Sequence, residues 1–176
     1  MLAAITQVLN QDSDTQVDVC MTSEMARRIE LWTAMYEDNA PWVDRKKVKS
    51  AQLPAAIASE VARLVTLEMK SEITGGSSAA YLNDRYQRKV LKNIRRYVEY
   101  GCAKGGLILK PYVTKTGLAI QYVQADCFFP LAFDDSGQIQ QCVFTEQFRK
   151  GQKIYTRLEV HTLQGEQIRI TNRAFV

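Results

Sequence analysis

The stretch that decides the fold is 85–112, RYQRKVLKNIRRYVEYGCAKGGLILKPY. Its first part has the period of a helix, and its last part is a short apolar run suited to a strand. Gly101, Gly105 and Gly106 stand where the period changes, and they are expected to make the tight passage between the two. Everything before this stretch reads as helix and everything after it as hairpins. Helices first and strands second define an α+β chain, not the alternating βαβ order of a dinucleotide-binding fold.

Working back from the glycines, Leu82, Tyr86, Val90, Ile94, Val98 and Cys102 recur every four residues. That stripe predicts one helix over about 79–102 with a buried apolar side. Arg85, Arg88, Lys89, Lys92, Arg95 and Arg96 fall on its other side, making it the most basic surface in the chain and the candidate face for a polyanion or a neighbouring subunit. A helix over about 53–70 precedes it. Pro54 suits its first turn, Ile57, Val61, Leu64 and Val65 mark its apolar side, and Ala55, Ala56, Ala58 and Ala62 allow another helix to approach closely. Glu60 is placed to pair with Arg63 one turn on. The first helix is expected over about 23–38, opened by the hydroxyl of Thr22 or Ser23 and closed by Pro41. Met25, Ile29, Trp32 and Tyr36 share one of its faces. Trp32, Tyr36 and Trp42 are expected to pack in the core rather than to stack on bases. Residues 1–20 carry no clear period and read as an arm. Residues 44–50, DRKKVKS, read as a solvated basic loop. The connector 74–78, TGGSS, lacks the Gly-Lys-Ser/Thr of a phosphate loop.

Working forward, the period becomes two, and strands are expected at 107–113, 118–123, 127–133, 138–149, 153–162 and 167–172. The connections are short, so an antiparallel meander over about 107–173 follows, with a glycine at the late position of each turn. The chain is expected to form a single domain over 1–176, with a helical part at 1–105 and a sheet part at 106–176. It ends flush after its last strand, and is therefore expected to be a fragment of a longer fold.

The 176 residues are 46% apolar and 24% charged, the balance of a globular protein, and carry a net charge of +4. That charge favours polyanions only weakly. No apolar run reaches the ~20 residues of a membrane span, and the opening MLAAITQVLNQDSD lacks the basic start of a signal peptide. Cys20, Cys102, Cys127 and Cys142 include no C-x-x-C pair, and His161 is the one histidine. Neither a zinc site nor a disulfide framework is expected. A nucleophile–base arrangement such as Cys127 with His161 is conceivable, though a lone histidine at a strand end is far more often structural. Glu159 aligns with Arg157 and His161 on one strand face, the placement of an ion pair. Asp134 and Asp135 read as turn residues. No catalytic constellation emerges, and no cofactor is expected.

Five segments in order resemble the N-terminal part of a tailed-bacteriophage portal protein, the head–tail connector of siphophages and prophages. They are 21–42, MTSEMARRIELWTAMYEDNAPW; 53–69, LPAAIASEVARLVTLEM; 97–113, YVEYGCAKGGLILKPYV; 120–139, IQYVQADCFFPLAFDDSGQI, with Asp126, Phe128, Phe129 and Pro130; and 153–175, KIYTRLEVHTLQGEQIRITNRAF, with Tyr155 to His161. The resemblance implies a non-enzymatic structural subunit, here the outer wing region. It implies a ring of portal subunits, usually dodecameric, at one capsid vertex of the virion, assembled in the host cytoplasm. Double-stranded DNA passes through such a ring, and terminase and head-completion or adaptor proteins dock on it; no membrane is involved. A different class of function is a free-standing nucleic-acid-binding α+β module that uses the basic helix 85–96.

Overall fold

The computed structural model describes residues 2–11, 18–44, 46–47 and 50–176. Five helices come first: α1 (Leu2–Asn10), α2 (Ser23–Tyr36), α3 (Leu53–Thr66), α4 (Ala79–Lys89) and α5 (Ile94–Lys104). Six strands follow: β1 (Leu107–Thr114), β2 (Gly117–Gln124), β3 (Phe128–Phe133), β4 (Ile139–Lys150), β5 (Lys153–Gln164) and β6 (Gln167–Phe175). The chain is α+β, and every pairing is antiparallel between consecutive strands. The strands do not form one continuous meander, however. β1 and β2 make a hairpin of their own, while β3, β4, β5 and β6 form a four-stranded sheet in that order. A short 3₁₀ turn, Ala125–Cys127, separates the two.

The chain gathers into two compact units, residues 1–28 with 126–176, and residues 29–125. A division by packing therefore differs from one at residue 105 by element type. The physical reason is α1. Leu2, Ile5 and Leu9 lie at helical steps of three and four. Ile5 and Leu9 are buried with Phe129, Leu131, Val143, Leu158 and Val160 in one cluster. Ile5, Val143 and Leu158 are fully buried, each worth on the order of 1.5–3 kcal/mol. At the C-terminal end of α1 the Arg173 guanidinium donates to the carbonyls of Val8 and Leu9 at 2.8 and 3.1 Å, a cation where the helix dipole favours one. Beside the sheet, the Cys20 N–H donates to the Pro130 carbonyl at 2.8 Å and its thiol to the Leu131 carbonyl at 3.0 Å. The expected arm at 1–20 is thus in part a core helix; residues 12–17 lie outside the described ones.

Other boundaries differ for local reasons. Thr22 caps α2, its Oγ1 accepting from the Met25 N–H at 3.1 Å. The helix ends at Tyr36, before Pro41, and just beyond it Asp38 takes a left-handed φ of 56°. The Asn39 N–H reaches the Ala34 carbonyl at 2.7 Å and the Asp38 N–H reaches that of Met35 at 3.3 Å, the paired bonds of a Schellman ending. α3 stops at Thr66, short of residue 70. The helix expected over 79–102 is two helices joined by a 3₁₀ turn, Leu91–Asn93. There the Asn93 N–H donates to Val90, three residues back, at 3.1 Å. The carbonyl of Lys89 instead accepts the Tyr122 hydroxyl at 2.5 Å, and Val90 is buried at the break.

Within the unit 29–125, α3 packs on α5 through Ala58 and Ala62, both buried. Gly105 ends α5 with a left-handed φ of 82°. A Cβ there would lie 3.0 Å from the Trp32 ring, whereas one on Gly106 would meet only Ala125 at 3.9 Å and one on Gly101 only Leu107 at 3.8 Å. The tight passage into β1 therefore belongs to Gly105 alone of the three glycines. In the hairpins β4–β5 and β5–β6 the glycine is the first loop residue, not a late one. Gly151 and Gly165 carry φ of 64° and 63° in two-residue loops of type II′ character.

Replacing Gly105 with Ala should cost about 1–2 kcal/mol from the left-handed backbone alone, and more from the Trp32 contact. Gly106→Ala should be neutral or stabilising by up to about 1 kcal/mol. Urea unfolding of both variants checks this; a larger loss at Gly106 would contradict the assignment of the turn.

Candidate functional site

The six basic residues of 85–96 do not form one free face. Because the helix breaks at Leu91–Asn93, Arg85, Arg88 and Lys89 lie on α4, Lys92 in the 3₁₀ turn, and Arg95 and Arg96 on α5. Arg85 donates from Nη2 to the Thr116 carbonyl at 3.2 Å and lies 5.4 Å from the Tyr81 ring centre, so it anchors the β1–β2 turn. Arg88 pairs with Asp84 at 2.8 Å on an exposed helix surface. Arg96 donates from Nε to the Tyr100 hydroxyl at 2.8 Å. Lys89, Lys92 and Arg95 are exposed. The helix expected to present a basic stripe thus spends half of it on its own fold.

Tyrosines organise the same unit. The Tyr36 hydroxyl donates to Glu99 at 2.7 Å, and its ring meets Tyr100 edge-on, 6.0 Å between centres. Tyr97 and Tyr122 stack nearly parallel, at 7°. Tyr36 joins α2 to α5 through these contacts. Trp32 is 40% exposed although it closes over Gly105, and Trp42 is 65% exposed; Trp42 does not pack in the core, since it lies in a turn with Pro41 outside every helix.

The large apolar residues of α3 stay exposed, and the close helix approach expected at its alanines is made by Ala58 and Ala62. Leu53, Ile57, Val61, Leu64 and Val65 are 40–63% exposed, while Ala58 and Ala62 are buried where α3 packs on α5. Small side chains win the inner position because they let the two helix backbones come close; the large ones are left as an outward ridge. Ile57 and Val61 also border an apolar groove of about 320 Å³ with Trp32, Met35 and Cys102.

On the four-stranded sheet, Glu146, Arg157, Glu159 and His161 line one face. Arg157 pairs with Glu146 and lies 3.8 Å from Glu159. Glu159 Oε1 sits 2.6 Å from His161 Nε2, and the Phe144 ring meets the imidazole edge-on at 4.9 Å. The expected ion-pair alignment is present. Cys142, not Cys127, stands opposite His161 in the strand register. Asp134 is a turn residue: its Oδ1 accepts from the Ser136 hydroxyl and from the N–H groups of Ser136 and Gln138 at 2.7–2.9 Å. The Ser136 hydroxyl bond is the main cause of a carboxyl pKa held below its ordinary value. Among the described residues no group of three or more His, Cys, Asp and Glu side chains is placed to hold a metal. Among them, too, no helix is long and apolar enough to cross a membrane. No protein-family model matches the chain, and no curated protein matches it.

Two tyrosines should report on this packing. Burial, reinforced by the bond to Glu99, pushes Tyr36 up to about 12; burial, with Tyr97 and Tyr86 nearby, does the same for Tyr122. Each raised pKa favours the neutral form in the fold. The stability it contributes is complete below pH 10 and is lost as pH rises through about 12. An ultraviolet titration should show Tyr36 and Tyr122 ionising late, near pH 12, with Tyr36→Phe and Tyr122→Phe each reducing that late change. A late change that neither variant reduces, or none at all, would contradict the described packing.

Proposed function

We propose that the chain is a structural, non-catalytic subunit of a tailed-phage portal ring, contributing the outer wing region. The resemblance of five ordered segments suggests it, and the outward ridge of α3 is the observation that carries it. Five large aliphatic side chains on one exposed helix face make a contiguous apolar surface of the kind that marks a protein–protein contact. An assembly subunit meets its neighbours through such a surface, whereas a free-standing monomer gains nothing from it. In this reading the partners are further copies of the full-length subunit, terminase and head-completion proteins. The ring sits at a capsid vertex, and duplex DNA threads it. The 176-residue chain by itself is monomeric or a weak dimer.

Electron microscopy of the product of the whole reading frame tests this. Rings with a central channel are expected, and Ile57→Glu with Leu64→Glu should leave helix content intact while preventing ring assembly. A product that stays monomeric, or a gene with no large-terminase gene beside it, would overturn the reading. Rings that still assemble in the double variant would remove α3 from the contact.

A further inference from the structure

The register of the four-stranded sheet leaves one part of it uncovered by neighbours. β3 pairs with β4 only as far as Phe128 with Phe144, and β6 pairs with β5 only as far as Phe175 with Thr156. Residues 148–155 therefore pair with one another alone, through Phe148 with Tyr155, Arg149 with Ile154 and Lys150 with Lys153. They form a two-stranded ribbon that runs on beyond the sheet for about 10 Å at the usual rise per residue.

The ribbon's chemistry is uneven. Between Gln147 and Tyr155 there are three cations, Arg149, Lys150 and Lys153, and no carboxylate. All three cations are exposed. Lys150 stands directly opposite Lys153 across the type II′ turn, and like charges placed so are destabilising. Glu146, the nearest acid along the strand, is already paired with Arg157. Two register pairs further from the turn, Phe148 and Tyr155 stack at 5.6 Å between ring centres and 15°. The stack stiffens the ribbon just below its charged tip. A hairpin that keeps two lysines face to face without an anion of its own is arranged to receive one.

We propose that this ribbon is a binding element for duplex nucleic acid, with Arg149, Lys150 and Lys153 contacting backbone phosphates. A two-stranded β-ribbon fits the ~12 Å width of a DNA major groove. The phosphates on the groove walls supply the negative charge that the lysine pair lacks. The aromatic rings are stacked on each other, so the contact is to backbone and is insensitive to sequence. This inference rests on the hairpin alone and is independent of the ring reading above.

The test is fluorescence anisotropy of a labelled 20-base-pair duplex with the full chain at 50 and 200 mM salt. Three phosphate contacts predict binding that weakens roughly 40-fold between the two salts. Lys150→Glu with Lys153→Glu should weaken binding at 50 mM salt at least tenfold. Reversing Arg88, Lys92 and Arg95 to Glu should change it less than twofold. Lys153→Glu alone should weaken binding yet raise the melting temperature, because it replaces a repelling pair with an attracting one. That combination excludes simple misfolding. The proposal is overturned by no binding at 50 mM salt, by an unchanged affinity in the hairpin double variant, by a loss carried by the helix variant instead, or by single strands binding as tightly as the duplex.

Discussion

The packing of α1 against the four-stranded sheet is the contact on which half of the structure depends. Nine residues are too few for a helix to persist alone in water, and a sheet with a bare apolar face is equally unstable. Ile5 and Leu9 supply what Val143, Leu158 and Val160 lack. Arg173 ties the arrangement by bonding to the last carbonyls of the helix. Because α1 and β6 lie near opposite ends of the chain, this unit closes only when residues more than a hundred positions apart meet. Contacts of that separation carry a loop-closure cost before they give any return.

The unit 29–125 is built on another constraint, the close approach of helices through small residues. Ala58 and Ala62 let α3 lie near α5, Gly105 turns the chain under Trp32, and Asp38, just beyond α2, takes a left-handed conformation. The consequence for function is the outward ridge. When alanine takes the inner face, leucine, isoleucine and valine are left outside. A structural subunit uses that surface in assembly, and the proposal of a portal role follows from it together with the ordered segments.

Much of the fold was legible in the sequence. All six strands were found to within a few residues, because strict alternation and glycine-bearing turns are local signals. The helix after the connector at 74–78 was legible as helical but not as broken. The four-residue stripe from Leu82 to Cys102 runs straight across Leu91–Asn93, and the break depends on Tyr122, thirty residues on, taking up a backbone carbonyl. α1 was missed because two apolar residues buried in a nine-residue helix give too weak a period against their neighbours. The close approach of another helix to α3 was legible in its alanines, of which Ala58 and Ala62 are buried. The exposure of its larger residues was not, because hydrophobicity ranks leucine above alanine for burial, while helix–helix distance can reverse that order. The basic face of 85–96 was read from side-chain type, whereas three of its six members are taken up by Thr116, Asp84 and Tyr100. The ribbon tip was legible as a turn, but its projection depends on where β3 and β6 stop pairing, which is a property of the whole sheet.

Hydrogen exchange on a chain carrying Ile5→Asp and Leu9→Asp tests the central claim most directly. Burying a carboxylate against Val143 and Leu158 should release α1 from the sheet. Amides of β4 and β5 should then lose protection while those of α3 and α5 keep theirs. Unchanged protection in β4 and β5, or equal loss in α3 and α5, would contradict the dependence of the sheet on α1.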